Sequence, residues 1–169
     1  MKVYLDACCL GRLTDDQRRP RIAAEAEAVE RILGLLRTGR IEWLCSAALQ
    51  AETSGNPDAE RRYEVGVLLT LATDTIPLNS QIIRRALDLE ASGCGAFDAL
   101  HLACAEAGGA EALLTAVDRF IGRAARGVGS PRGRVLNPMG RRASSGATGP
   151  APETKPGTEC SGRRILASP

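Results

Sequence analysis

Four acidic residues of this 169-residue chain lie where short apolar runs or helical patterns begin or end: Asp6, Glu52, Asp98 and Asp118. Four like charges gathered at one place repel one another, unless a bound cation neutralises them. Carboxylate oxygens without paired histidine or cysteine ligands select a hard cation, Mg²⁺ or Mn²⁺, rather than zinc. Because such an ion activates water and offsets charge on phosphate oxygens, the acids predict hydrolysis of a phosphodiester.

Each acid also has a purely structural explanation when it is considered alone. Asp6 and Asp118 are typical of loops and helix caps, and Asp98 suits the positive end of a helix dipole. Glu52 is compatible with an ordinary solvated helix face. The predicted chemistry therefore depends on whether the fold brings these carboxylates together.

The elements that must position the acids alternate along the chain. Apolar runs predict strands at residues 3–5, 41–45, 74–78, 112–115 and 134–136. Helical spacing and end signals predict helices from Pro20 to Gly39, from Ser46 through Glu52, from Pro57 through Leu71, over residues 79–91, and over Ala96–Ala107 and Asp118–Ala125. This alternation predicts an α/β three-layer sandwich with a central, mainly parallel sheet of about five strands. Ligands bind beyond the carboxyl ends of such strands, where the four acids are expected.

Composition favours one folded domain followed by a tail. Residues 1–138 contain all the predicted elements, whereas residues 139–169 are rich in Gly, Ser and Pro, contain several Arg and lack a periodic apolar face. We therefore predict a disordered tail. A formal net charge of +2 and 3% aromatic residues do not by themselves indicate a nucleic-acid binder. Without a membrane-length apolar run or a signal-peptide pattern, we expect a soluble, cytoplasmic protein that makes no membrane contact.

The six cysteines and the single histidine do not form the spacing of a zinc site or a disulfide framework. The adjacent Cys8 and Cys9 have no neighbouring base to activate a thiolate, so we interpret them as packing residues. His101 follows Asp98 by three residues and can face the same cleft, where we expect a structural or supporting role. Several arginines near the acids can contact phosphates, although surface solvation is the default for them. They are Arg12, Arg18, Arg19, Arg21, Arg119 and Arg123.

Four sequence blocks in a fixed order resemble those of PIN-domain nucleases: VYLDACCLGR, SAALQAET, FDALHLACAE, and LLTAVDRF followed by VLNP. The resemblance covers residues 1 to about 138, and the family includes many toxins of bacterial toxin–antitoxin pairs. It implies a PIN-like fold and a Mg²⁺- or Mn²⁺-dependent endoribonuclease that acts on RNA. For members shaped like VapC toxins of type II pairs, it also implies a cognate antitoxin, and it implies a homodimer. Asp6, Glu52 and Asp98 match the family's acidic positions, which implies that they bind the metal and act in catalysis.

The sequence departs from the family pattern at two places. The first acid of the family is usually followed by a small polar residue and often an Asn, where this chain has Ala7 and Cys8. The last acid usually lies two residues after the position of Thr115, which is Val117 here, so Asp118 is the available catalytic carboxylate and metal ligand. We expect the Thr115 hydroxyl to contact water at the metal. The alternative function is a catalytically degenerate PIN-like module that binds RNA or protein.

One other enzyme class places an aspartate at the end of its first strand, the phosphatases and phosphotransferases that form an aspartyl phosphate. They need a second aspartate two residues later as a general acid and base. That position is Cys8, so the sequence argues against this class.

Overall fold

The computed structural model of the protein describes residues 1–140, so residues 141–169, with Cys160 and most of the predicted tail, lie outside the described residues. Its strands are β1 (Lys2–Leu5), β2 (Glu42–Ser46), β3 (Asp74–Ile76), β4 (Ala112–Leu114) and β5 (Arg134–Leu136). Its helices are α1 (Ala7–Gly11), α2 (Pro20–Arg37), α3 (Ala47–Ser54), α4 (Ala59–Leu69), α5 (Ser80–Ala91), α6 (Ala96–Ala107) and α7 (Asp118–Ala125). At least one helix therefore separates every pair of successive strands.

The five strands form one sheet in the order β3-β2-β1-β4-β5, and each neighbouring pair is parallel. The central strand β1 aligns Tyr4 with Leu44 of β2 and with Leu113 of β4. The chain runs outward from β1 to β3 and then returns to the other side of β1 at β4. This reversal is a topological switch point, where clefts open at the carboxyl ends of parallel strands. The predicted three-layer α/β fold with a mainly parallel sheet is confirmed.

The central strands are apolar for most of their length because helices cover both faces of the sheet. Val3, Tyr4 and Leu5 are all buried, as are Trp43 and Leu44 in β2. These strand segments therefore lack the alternation of polar and apolar residues that is typical of a sheet with one solvent-exposed face. Asp6 is the first residue after this apolar run and the first ionisable group at that end of β1.

Side-chain caps fix where several helices begin. Ser46 accepts a hydrogen bond from the Leu49 amide, as the sequence predicted for the start of α3. The sequence also predicts Asn56 as the cap and Pro57 as the first residue of the next helix, but this start is wrong, since Asp58 caps α4 instead. The Asp58 carboxylate satisfies two free amides of the first turn, which an amide side chain two residues earlier does not reach.

Helix α1 was not predicted from the sequence. It contains only five residues and ends at Gly11, which is too short for a periodic apolar pattern to show. Within residues 1–140, no helix combines the length and the apolar character needed to cross a bilayer.

Candidate metal centre

Asp6 lies at the switch point, with its backbone amide bonded to the Leu114 carbonyl at 3.0 Å. The residue is buried, with 4% of its surface exposed. Although Asp6 is the N-cap residue of α1, its side chain makes no capping hydrogen bond within the described part of the chain. The Oδ2 atom instead accepts hydrogen bonds from the Thr115 hydroxyl at 2.8 Å and the Cys8 thiol at 3.1 Å. Asp6 therefore occupies the cap position of α1, but its carboxylate faces the end of β4 rather than the first turn of the helix.

His101 links Glu52 to Asp6. Its Nε2 atom lies 2.6 Å from Oε2 of Glu52 and 3.5 Å from Oδ1 of Asp6. On the other side of the ring, Nδ1 is 2.9 Å from the Tyr4 hydroxyl, which is 2.6 Å from the Ser46 hydroxyl. A buried chain of hydrogen bonds thus runs from the cap of α3 through β1 to the imidazole. The ring orientation is fixed at both nitrogens.

The imidazole experiences strong opposing effects on its pKa. Burial favours the neutral ring and lowers the pKa of His101, but the hydrogen bond to Glu52 and the negative charges of Asp6, Glu52 and Asp98 outweigh it. The net result is a raised His101 pKa. The surrounding carboxylates therefore favour a positive charge at the position of Nε2.

The described residues can hold a divalent cation at this position. One ligand atom each from Asp6, Glu52 and His101 lies within 4.8 Å of the other two. Two carboxylates that converge in a largely buried cleft suit Mg²⁺ or Mn²⁺, and an imidazole nitrogen is also a ligand for Mn²⁺ and heavier divalent ions. The carboxylates that raise the pKa of His101 would also attract a cation, so the imidazole and a bound ion respond to the same negative field.

Asp98 lies in the first turn of α6, half-buried and close to Asp6. Burial raises the pKa of Asp98, and the negative charge of Asp6 raises it further, while His101, Arg119 and Arg123 act in the opposite direction. The carboxylate turns back over the N-cap residue, so that a Cβ at Gly95 would lie 2.9 Å from Oδ2 of Asp98. Asp98 therefore contributes its charge to the centre without joining the three-residue group.

The structure does not bring Asp118 into this group. Its carboxylate accepts two hydrogen bonds from the Arg21 guanidinium at 2.6 and 2.7 Å, and its side chain is 66% exposed. The hydrogen bonds to Arg21 are the main cause of a lowered Asp118 pKa. Val117, at the position of the usual family acid, precedes α7 and donates its amide to the Thr115 hydroxyl at 3.2 Å. The ligand role of Asp118 stays a prediction, with Arg21 as its observed partner.

Two of the arginines proposed as phosphate contacts are instead bound by an acid that sequence reasoning missed. Glu25 of α2 is 0% exposed and accepts hydrogen bonds from Arg12 at 2.6 Å, Arg21 at 2.9 Å and the Asn137 amide at 2.9 Å. A signal for its burial was present, because Glu25 shares a helical stripe with Val29 and Leu33 at spacings of four residues. Glu25 and its partners brace the helices around the centre and leave neither arginine free.

The interpretation of Cys8 as a packing residue was also incomplete. The five cysteines of residues 1–140 are free thiols, and four of them are buried. Cys8 is the partly exposed one, and its sulfur contacts Asp6, Thr115 and the Ala116 amide. Thr115 and Ala116 lie more than 100 residues from Cys8 in sequence, so no local pattern could indicate these two contacts.

A groove of 760 Å³ runs beside the centre between α1, α3, α4 and α6. Glu52 and Cys8 lie in its wall where it meets the acids, and Leu78, Phe97 and Leu100 make it mainly apolar. Phe97 is exposed despite its size. An exposed apolar groove beside a cluster of charged residues is typical of a surface that binds a partner.

Comparisons with known proteins agree with this architecture. The sequence matches the PIN domain family over residues 3–126. The fold is similar to a chain in the crystal structure of VapBC2 from Rickettsia felis bound to a DNA fragment from their promoter, with a TM-score of 0.54 and 16% identity over 81% of this chain and 98% of that chain. No curated protein sequence matches this chain. At that identity the structural likeness shows the fold, whereas the sequence match spans most of the chain, and the protein therefore belongs to the PIN domain family.

Proposed function

We propose that this protein is a metal-dependent endoribonuclease that hydrolyses RNA phosphodiesters at the switch point of its sheet. The observation that carries the proposal is the convergence of the Asp6 and Glu52 carboxylates on one nitrogen of His101. PIN domains are generally metal-dependent nucleases, so family membership and the local electrostatics favour the same chemistry. The choice of RNA over DNA rests on the family resemblance alone.

The residues assigned to the metal are Asp6 through Oδ1, Glu52 through its carboxylate, and Asp98 directly or through water. Oxygen ligands of this kind favour Mg²⁺ or Mn²⁺. When bound, such an ion supplies positive charge that offsets the charge developing on the phosphate oxygens and helps to acidify water. Asp118 belongs to this set only if its carboxylate leaves Arg21, and it is therefore the weakest of the four assignments.

The chain's own residues prepare the attack of water on phosphorus. Glu52, fixed by His101 at 2.6 Å, either binds the ion or orients the attacking water. The hydrogen bonds from Ser46 through Tyr4 to His101 keep this carboxylate in place. Attack forms a new P–O bond, and the bond from phosphorus to the leaving oxygen breaks. The attacking water loses a proton and the leaving oxygen gains one, and Glu52, where it orients the water, is the carboxylate placed to accept the first.

Cleavage of a labelled structured RNA by the purified protein, with Mn²⁺, Mg²⁺ or EDTA, tests the proposal. We expect cleavage only with a divalent ion, and a loss of at least about 100-fold in Asp98→Asn, because the variant removes a charge from the centre. A matched control is Asp74→Asn, an exposed acid on the distant edge strand β3. Metal-independent cleavage, or full activity in Asp98→Asn, would contradict the proposal.

A second function is favoured by the pairing of Asp118 with Arg21 and by the apolar Val117 at the usual acidic position. A domain that has lost its fourth ligand can remain as a module that binds RNA or protein. Folded wild-type protein that neither cuts RNA nor binds Mn²⁺ in calorimetry would establish this alternative.

The partners follow from the same family. We propose a cognate antitoxin as a partner, since the structurally similar VapBC2 chain comes from a toxin–antitoxin complex and an apolar groove adjoins Glu52 here. We also propose a homodimer, because α4 and α5 expose Tyr63, Val67 and Leu87. Light scattering of the purified protein tests the dimer, and the expected cytoplasmic location stays a prediction.

A further inference from the structure

We propose that Cys8 is a positioning residue for the metal centre, whose thiol fixes which carboxylate oxygen of Asp6 faces the cation. This inference rests on the proposed metal-dependent function. PIN domains usually have a polar residue near this position, and here the sulfur of Cys8 takes its place. The proposed role of Cys8 is hydrogen bonding, not nucleophilic attack.

Three contacts place the sulfur between Asp6 and the end of β4. The thiol donates to Oδ2 of Asp6 at 3.1 Å, the Ala116 amide donates to the sulfur at 3.1 Å, and the Thr115 hydroxyl lies at 3.2 Å. A thiol has a single proton, so the bond to Asp6 uses its donor while the sulfur lone pairs accept the amide. Cys8 thus links α1 to the segment that leads into α7.

The same oxygen of Asp6 receives a second donor. The Thr115 hydroxyl gives its proton to Oδ2 at 2.8 Å and accepts the Val117 amide at 3.2 Å. With two donors on Oδ2, the carboxylate has one favoured rotation, and Oδ1 is turned toward Nε2 of His101 at 3.5 Å. The metal-facing oxygen is therefore selected by the pair Cys8 and Thr115.

Packing alone does not explain this arrangement. Cys9, the adjacent thiol, lies fully buried in the hydrophobic core, which is the usual environment of a free cysteine. Cys8 is partly exposed in the wall of the groove and makes polar contacts to three residues. Groups that hydrogen-bond to a metal ligand hold it in its binding orientation, and their loss typically weakens metal binding about 10-fold to 100-fold.

The test measures Mn²⁺ affinity by calorimetry and RNA cleavage for four full-length proteins. Cys8→Ala removes the donor and the acceptor, and we expect roughly 10-fold weaker Mn²⁺ binding. Cys8→Ser restores both with a hydroxyl, and we expect affinity within about 3-fold of wild type. Cys9→Ala is the matched control, since it removes a neighbouring thiol from the core and should lower thermal stability while leaving Mn²⁺ affinity unchanged.

The outcomes separate this inference from the proposed function. Wild-type affinity in Cys8→Ala, an equal loss in Cys8→Ser, or an equal loss in Cys9→Ala would each overturn the role of Cys8 while wild-type binding and cleavage remain. A wild-type protein without Mn²⁺ binding or cleavage would overturn the proposed function and this inference together. If circular dichroism shows that Cys8→Ala does not fold, Cys8→Val replaces it, because valine keeps the volume without a hydrogen-bond donor.

Discussion

Nε2 of His101 lies 2.6 Å from Glu52 and 3.5 Å from Asp6, so a single ring nitrogen contacts the two acids that converge most closely. The imidazole is 1% exposed and is held from behind by Tyr4. The raised pKa of His101 favours the protonated ring, which places a positive charge beside the two carboxylates. A bound cation and the imidazole therefore neutralise the same negative charges. Removal of the imidazole should change how strongly a cation stabilises the protein.

Substitution of His101 by Asn should make the protein depend on metal for its stability. Without the imidazole, Glu52 and Asp6 lose a buried partner, and we expect a cost of about 1–3 kcal/mol in EDTA. Added Mn²⁺ should then raise the melting temperature more in His101→Asn than in wild type, because the ion replaces the missing charge. Thermal unfolding with Mn²⁺ or EDTA measures both effects. An equal Mn²⁺ shift in the two proteins would contradict the coupling.

Asp118→Asn distinguishes the ion pair from a metal ligand. The pair with Arg21 is largely exposed, so its loss should change stability by no more than about 1 kcal/mol. We expect a change of less than about 2-fold in Mn²⁺ affinity, because Asp118 is exposed, is bound to Arg21 and has its charge screened by solvent. Calorimetry of Mn²⁺ binding to Asp118→Asn and to Asp6→Asn provides the comparison. A loss as large as that of Asp6→Asn would instead confirm Asp118 as a ligand.

Glu25 should make the fold sensitive to acid. Burial raises the pKa of Glu25, but hydrogen bonds from Asn137, Arg21 and Arg12 outweigh it and hold the pKa below its ordinary value of 4.5. A carboxyl group with a lowered pKa in the folded state stabilises the protein above pH 4.5, and this contribution is lost as the pH falls toward the folded-state pKa. Urea unfolding between neutral pH and about pH 3 should therefore show a steeper loss below pH 4.5 in wild type than in Glu25→Gln.

At neutral pH, Glu25→Gln should itself cost about 1–3 kcal/mol, because a buried acceptor of three hydrogen bonds loses its charge while Arg12 and Arg21 keep Asp15 and Asp118 as partners. The matched control is Glu27→Gln, an exposed residue of the same helix that pairs only with Arg31 among the described residues. Its substitution should change stability by less than about 1 kcal/mol. Equal effects of the two substitutions would show that Glu25 does not brace the helices.

Gly95→Ala should disturb the centre with little effect on the fold. The backbone of Gly95 has φ −68°, which alanine adopts without strain, but its Cβ would lie 2.9 Å from Oδ2 of Asp98. The carboxylate is the mobile end of its side chain, so it should swing aside and weaken Mn²⁺ binding. Gly66→Ala, where a Cβ meets nothing within 4 Å, is the control and should leave binding unchanged. Equal Mn²⁺ affinities of the two variants would contradict a role for this close approach.

The strands could be predicted from the sequence because buried parallel strands are short apolar runs between clear turn signals. Asp6 and Glu52 were placed near the centre because each follows such a run. The contacts that organise the centre could not be predicted in this way, since Thr115 reaches Asp6 across 109 positions and His101 reaches Glu52 across 49. The direction of Asp118 depended on the register at the start of α7, where one residue changes which face of the helix a side chain occupies.

The position of β1 in the middle of the sheet has a consequence during protein synthesis. The strand that leads to Asp6 is made before the other four strands, yet it lies between β2 and β4. Strand β4, the other neighbour of β1, is followed by Thr115, whose hydroxyl binds Asp6. Both emerge only after more than 100 further residues have been translated. A growing chain therefore carries Asp6 long before it can assemble the centre around it. Premature termination before β4 yields a fragment without that centre, so the proposed hydrolysis requires a chain whose translation has passed Thr115.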